Sequence, residues 1–101
     1  MNYLETYKIT NSGFLGTLVT LELLFTTEPS TITISVFDSS GSQVVDDANG
    51  TKNNPNRYIT FSYQSSINNY GGTYHFRVLA TFSDGVDYRV IEFDLEDLEL
   101  E

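Results

Sequence analysis

The chain has 101 residues, 40% of them hydrophobic, with seven Phe, seven Tyr and neither Cys nor Trp; this is enough apolar material for one core and too little for two. Its 14 acidic residues against 5 basic ones leave a formal net charge of −9, a surface that repels nucleic-acid phosphates and anionic lipid headgroups and so excludes both as partners. The lack of cysteine excludes a disulfide framework, a thiolate metal site and a cysteine nucleophile, and no apolar run approaches the ~20 residues that cross a bilayer as a helix.

No signal-peptide pattern opens the chain, and membrane insertion is not expected. Met1 and the final Leu100-Glu101 have the look of additions, because Leu-Glu commonly precedes an affinity tag; the chain would then be a domain excised from a larger protein.

Strand signals dominate. A first strand is expected over 3–9. Residues 18–26 put Val19, Leu21, Leu23 and Phe25 on one face, and Glu28-Pro29-Ser30 separates them from 31–37, where Ile32, Ile34 and Val36 alternate with Thr31, Thr33 and Ser35. These two strands are expected in opposite sheets. Asp38-Ser39-Ser40-Gly41 reads as a turn, 42–45 as a short edge strand, and 46–56, with no apolar period, as the longest loop. Alternation resumes at 58–63 with Ile59, Phe61 and Tyr63, and 64–72 is a second polar connection. The longest clean alternation, 73–83, places Tyr74, Phe76, Val78, Ala80 and Phe82 opposite His75, Arg77, Leu79 and Thr81. The Asp84-Gly85 pair predicts a tight hairpin in which Gly85 supplies a positive φ, and 88–95 is its antiparallel partner, with Ile91, Phe93 and Leu95 inward. The regular spacing of these strands is that of a two-sheet sandwich.

The stretch Gly71-Gly72-Thr73-Tyr74-His75-Phe76-Arg77-Val78 resembles strand F of immunoglobulin-like domains, in which a Gly-x-Tyr motif opens the strand and a Cys follows the Tyr by two residues. Phe76 takes the Cys position here. The resemblance implies that Tyr74 forms a tyrosine corner, its hydroxyl bonding back to backbone within 66–70, and that the core is apolar throughout, since the Cys pair and the strand-C Trp are missing. The expected fold is all-β: a two-sheet immunoglobulin-like antiparallel sandwich of about seven strands, one domain over 1–101, with Gly72, Tyr74, Phe76 and Gly85 as structural residues. A superfamily-level resemblance carries over no activity.

Candidate chemistry is sparse. The single histidine, His75, falls on the outward phase of its strand, and no Gly-x-Ser-x-Gly or His-Glu-x-x-His signature supplies a nucleophile or a metal partner. Asp38, Asp46, Asp47, Asp84 and Asp87 lie in or beside loops, but their spacing is not that of an EF-hand and such residues cap turn N–H groups, so no metal is expected. Six acids within 92–101 read as a solvated outer face that discourages edge pairing, in preference to a tail for a basic partner. Asn49-Gly50-Thr51 fits the N-glycosylation pattern. Tyr63, Tyr70 and Tyr88, with the Asn-rich loops, are candidates for a Tyr/Ser/Asn contact surface.

The chain is therefore expected to be no enzyme and to need no cofactor. It reads as a non-catalytic binding or structural module of an extracellular, cell-surface or virion protein, whose partner is protein or carbohydrate. A carbohydrate-binding accessory module would require exposed rings of Phe37, Tyr63 or Tyr88 side by side on one sheet face.

Overall fold

The structure is a computed structural model and describes residues 3–10 and 13–97. Eight strands run in chain order: β1 (Leu4–Thr10), β2 (Leu18–Phe25), β3 (Thr31–Phe37), β4 (Gln43–Asn49), β5 (Thr51–Asn53), β6 (Tyr58–Gln64), β7 (Gly72–Phe82) and β8 (Gly85–Leu95). They form two antiparallel four-stranded sheets, sheet I in the order β1-β2-β6-β5 and sheet II in the order β4-β3-β7-β8. The expected all-β, two-sheet sandwich is the fold observed, and β2 and β3 do lie in opposite sheets.

Period-two alternation explains the core directly. Val19, Leu21, Leu23 and Phe25 of β2 face Ile32, Ile34 and Val36 of β3, and Tyr74, Phe76, Val78, Ala80 and Phe82 of β7 share that interior with Ile91, Phe93 and Leu95 of β8. Phe76 is the hub. It is fully buried, stacks on Phe93 with ring centroids 4.6 Å apart, and receives Phe61 edge-on at 6.2 Å.

One expectation fails between β3 and β6. The segment 46–56 is not one long loop: β4 runs on to Asn49, and β5 follows after Gly50. Both are edge strands exposed on most of their length, and a strand with no buried face has no apolar period to betray it. Asp47 sits at φ 45° in a bulged stretch of the β3–β4 register, where its N–H donates to Ser35 Oγ and its carboxylate accepts from the same hydroxyl. The chain then crosses between sheets at Gly50, where a Cβ would lie 2.6 Å from Ile59 Cγ2.

Strand β8 ends at the buried Leu95, and Glu96 and Asp97 beyond it are exposed. The chain is not free of the domain after Leu95: Leu15 N–H donates to the Glu96 carbonyl, Glu96 N–H donates to the Gly13 carbonyl, and Asp97 accepts a bond from Gly71 N–H at 2.9 Å. The remaining part of the acidic tail, 98–101, lies outside the described residues.

Candidate functional site

The residues assigned structural roles fall at the mouth and centre of β7. Gly72 has φ +133°, and a Cβ there would come within 2.8 Å of Ser39 Cβ, so glycine is required on two grounds. Tyr74 is fully buried and its hydroxyl donates to the Tyr70 carbonyl at 2.9 Å, four residues upstream. Burial first, then the nearby Asp38 carboxylate, push its phenol above the ordinary value. Tyr74→Phe deletes this one bond while keeping the ring, and should cost about 1–3 kcal/mol in urea unfolding; a loss within about 0.3 kcal/mol would mean the bond does not hold the β6–β7 connection.

Gly85 needs a correction. It opens β8 after the two-residue turn Ser83-Asp84 but does not occupy the left-handed region. Its role is space, because a Cβ would sit 3.2 Å from the Tyr3 hydroxyl, which donates to Asp84.

The three contact tyrosines do not form one surface. Tyr63 is 9% exposed and packs in the core near Tyr74, with ring centroids 6.5 Å apart, so it is withdrawn from any ligand surface. Tyr70 is 83% exposed in the connection before β7, whereas Tyr88 is 54% exposed opposite Leu79, far along the same hairpin. Seven residue pairs separate the β7 start from Tyr88, roughly 20 Å of strand. Nor do Phe37 and Tyr88 form a sugar platform. Both face outward from sheet II, but on β3 and β8, and the Phe37 ring is covered by the Arg77 guanidinium at 3.9 Å and stacked on His75 at 5.0 Å.

His75 is thereby explained structurally. Its Nε2 accepts from Arg77 Nε at 3.1 Å, and partial burial followed by the Arg77 charge holds its pKa below the usual value, which favours the neutral acceptor. Among the described residues no three His, Asp or Glu side chains are grouped as metal ligands would be.

Asp87 also has a definite task. It is 5% exposed and accepts the N–H groups of Tyr3 and Leu4 at 2.8 and 3.0 Å and Arg89 Nε at 2.8 Å. Burial alone would raise its pKa, but the bonds from Arg89, Tyr3 and Leu4 outweigh it and hold the carboxyl below the usual range. It ties the start of β1 to β8.

Two surfaces remain. On the outer face of sheet II, Leu79 is 42% exposed, Val86 53%, Tyr88 54% and Val90 52%. Register makes them neighbours: Tyr88 lies opposite Leu79, Val86 opposite Thr81 and Val90 opposite Arg77. Leu79 lies in turn opposite Thr33 of β3. On sheet I an open groove of about 500 Å³ is lined by Lys8, Glu22, Leu24, Pro55, Arg57 and Tyr58, with the Tyr58 hydroxyl bonded to Glu22. The first surface was legible as the outward phase of β7 and β8. The second draws on three distant segments and left no local signal.

No protein-family model matches the chain, and no curated protein matches it. Among solved structures, the crystal structure of CopC from Methylosinus trichosporium OB3b is similar to it at 24% identity and a TM-score of 0.66, over 100% of this chain and 99% of that one. At that identity the likeness is one of fold.

Proposed function

We propose that this chain is a non-catalytic, protein-binding module of a larger extracellular or cell-surface protein, and that it docks through the outer face of sheet II. The observation that carries this reading is the contiguous exposed set Leu79, Val86, Tyr88 and Val90. An aromatic and aliphatic centre with Thr33, Thr81, Arg77 and Glu92 around it has the composition of a protein interface, apolar in the middle and polar at the rim. The module is of immunoglobulin-like kind. In support, β1-β2-β6-β5 corresponds to strands A-B-E-D, β3-β7-β8 to C-F-G with β4 added beside C, and Tyr74 bonds back as a corner tyrosine would. The richness in Thr, Ser, Asn and Tyr suits a surface-exposed location.

A second reading is a carbohydrate-binding accessory module, favoured by the sheet I groove, where the Tyr58 ring, Pro55, Arg57 and Glu22 combine an apolar wall with hydrogen-bonding groups. One comparison separates the two. Panning a displayed peptide library on the immobilised domain should select binders that Tyr88→Lys abolishes and Tyr58→Ala leaves intact. Glycan-array binding lost in Tyr58→Ala, with no peptide dependent on Tyr88, would replace the first reading with the second.

A further inference from the structure

Strand β8 is the edge of sheet II, and among the described residues no backbone hydrogen bond reaches its open side between Gly85 and Leu95. A long open edge is a template for another strand. The start of β1 approaches this edge, yet Tyr3 and Leu4 bond to the Asp87 carboxylate and not to β8 backbone. A groove of about 340 Å³ between Leu4–Tyr7 and Arg89 runs beside the edge.

The sequence of this edge is complementary to itself. Val86-Asp87-Tyr88-Arg89-Val90 reads, about Tyr88, as apolar, acidic, aromatic, basic, apolar. In an antiparallel twofold pairing centred on Tyr88, each Val86 lies opposite Val90 of the second copy, the tyrosines lie opposite each other, and each Asp87 lies opposite Arg89. Directly opposed residues share a face, so the valines and tyrosines join in one outer apolar patch while the charged pairs fall on the inner side.

Each Asp87 already accepts from Arg89 of its own chain at 2.8 Å, and the pairing merges two such pairs into one alternating set. Other in-phase registers fail. Centring on Asp87 opposes two carboxylates, centring on Arg89 opposes two guanidinium groups, and centring on Val90 sets Tyr88 against Glu92 and Asp87 against Phe93. The acids from Glu92 onward, which discourage edge pairing, lie beyond the complementary stretch and limit the ladder to 85–91.

We propose that β8 pairs edge to edge with a second copy of the chain in the Tyr88-centred register, which joins the two outer faces into one larger apolar surface. The proposal deepens the reading of sheet II as a docking surface, which it enlarges and leaves open, and rests on it.

Sedimentation equilibrium of the chain from about 10 μM to about 1 mM, at ~0.15 M salt so that the net charges are screened beyond ~8 Å, tests it. The wild type should dimerise. Val86→Lys and Val90→Glu, both at exposed positions, should each weaken the dimer at least about fivefold, because every substitution acts twice by symmetry. The double variant Val86→Lys/Val90→Glu sets each new Lys opposite a new Glu and should return to within about threefold of wild type; thermal melts confirm that all variants fold. A wild type that stays monomeric at about 1 mM, or a double variant no better than the singles, overturns the pairing. Peptide binding still abolished by Tyr88→Lys would, in that event, leave the docking face standing without the dimer.

Discussion

Phe76→Ala should cost about 3–5 kcal/mol, among the largest losses expected from a single truncation in this chain. The ring is fully buried, and its neighbours come from both sheets: Phe93 stacks on it from β8, and Phe61 meets it edge-on from β6. Removing it leaves a cavity between two sheets that are already paired within themselves, so neither backbone can collapse to fill the space. For a domain of this size such a loss lowers Tm by roughly 15 °C or more. Urea unfolding and a thermal melt measure it. A cost near 1 kcal/mol would mean that the two sheets do not meet at Phe76.

Asp87→Ala is the second large effect, at about 2–4 kcal/mol. The substitution deprives the Tyr3 and Leu4 N–H groups of their acceptor and removes the carboxylate bonded to Arg89, whose partial exposure lets water recover part of the loss. Asp87→Asn keeps one acceptor oxygen and should cost about half as much. Because its folded pKa is lowered, the carboxylate contributes fully above the unfolded value of about 4 and loses its contribution as pH falls through the folded value. Wild type and Asp87→Ala should therefore differ most at neutral pH and converge in acid. A gap in unfolding free energy that persists unchanged to about pH 2 would contradict the carboxylate's role.

How much of this was legible depends on whether a residue's partners are local. Strands with one buried face, β2, β3, β6, β7 and β8, announce themselves through alternation, and Tyr74 through the Gly72-Thr73-Tyr74 motif, because each signal lies within one segment. Only the start of β4 was legible, as the short edge strand over 42–45; the rest of β4 and all of β5 were not, since they are edges without a buried side, and the glycine that lets the chain change sheets, Gly50, is justified by Ile59, a residue of another strand. The holdings of Glu96 and Asp97 depend on Gly13, Leu15 and Gly71, and that of Asp87 on the N–H of Tyr3, 84 residues away just before β1. Periodicity along the chain has no access to such pairs. Gly85 shows a subtler failure: the turn position was read correctly, but the reason for glycine there is the Tyr3 ring and not the backbone angle.

The docking face is likewise split between what sequence shows and what it hides. The outward phase of β8 contains Val86, Tyr88 and Val90, and that of β7 contains Leu79. Their coming together needs the hairpin register, which no single strand reports. Tyr63, by contrast, looked equally suited to a contact surface and is instead core, since β6 is an inner strand of its sheet and its inward phase faces β7.

The most direct test of the account is to map where a selected peptide binds, by following backbone amide resonances of the isotopically labelled domain during titration. The docking-face reading predicts the largest shifts at Leu79, Val86, Tyr88 and Val90 and their strand neighbours, with Lys8, Leu24 and Tyr58 unmoved. Shifts confined to Lys8, Leu24, Arg57 and Tyr58, with β8 silent, would contradict it.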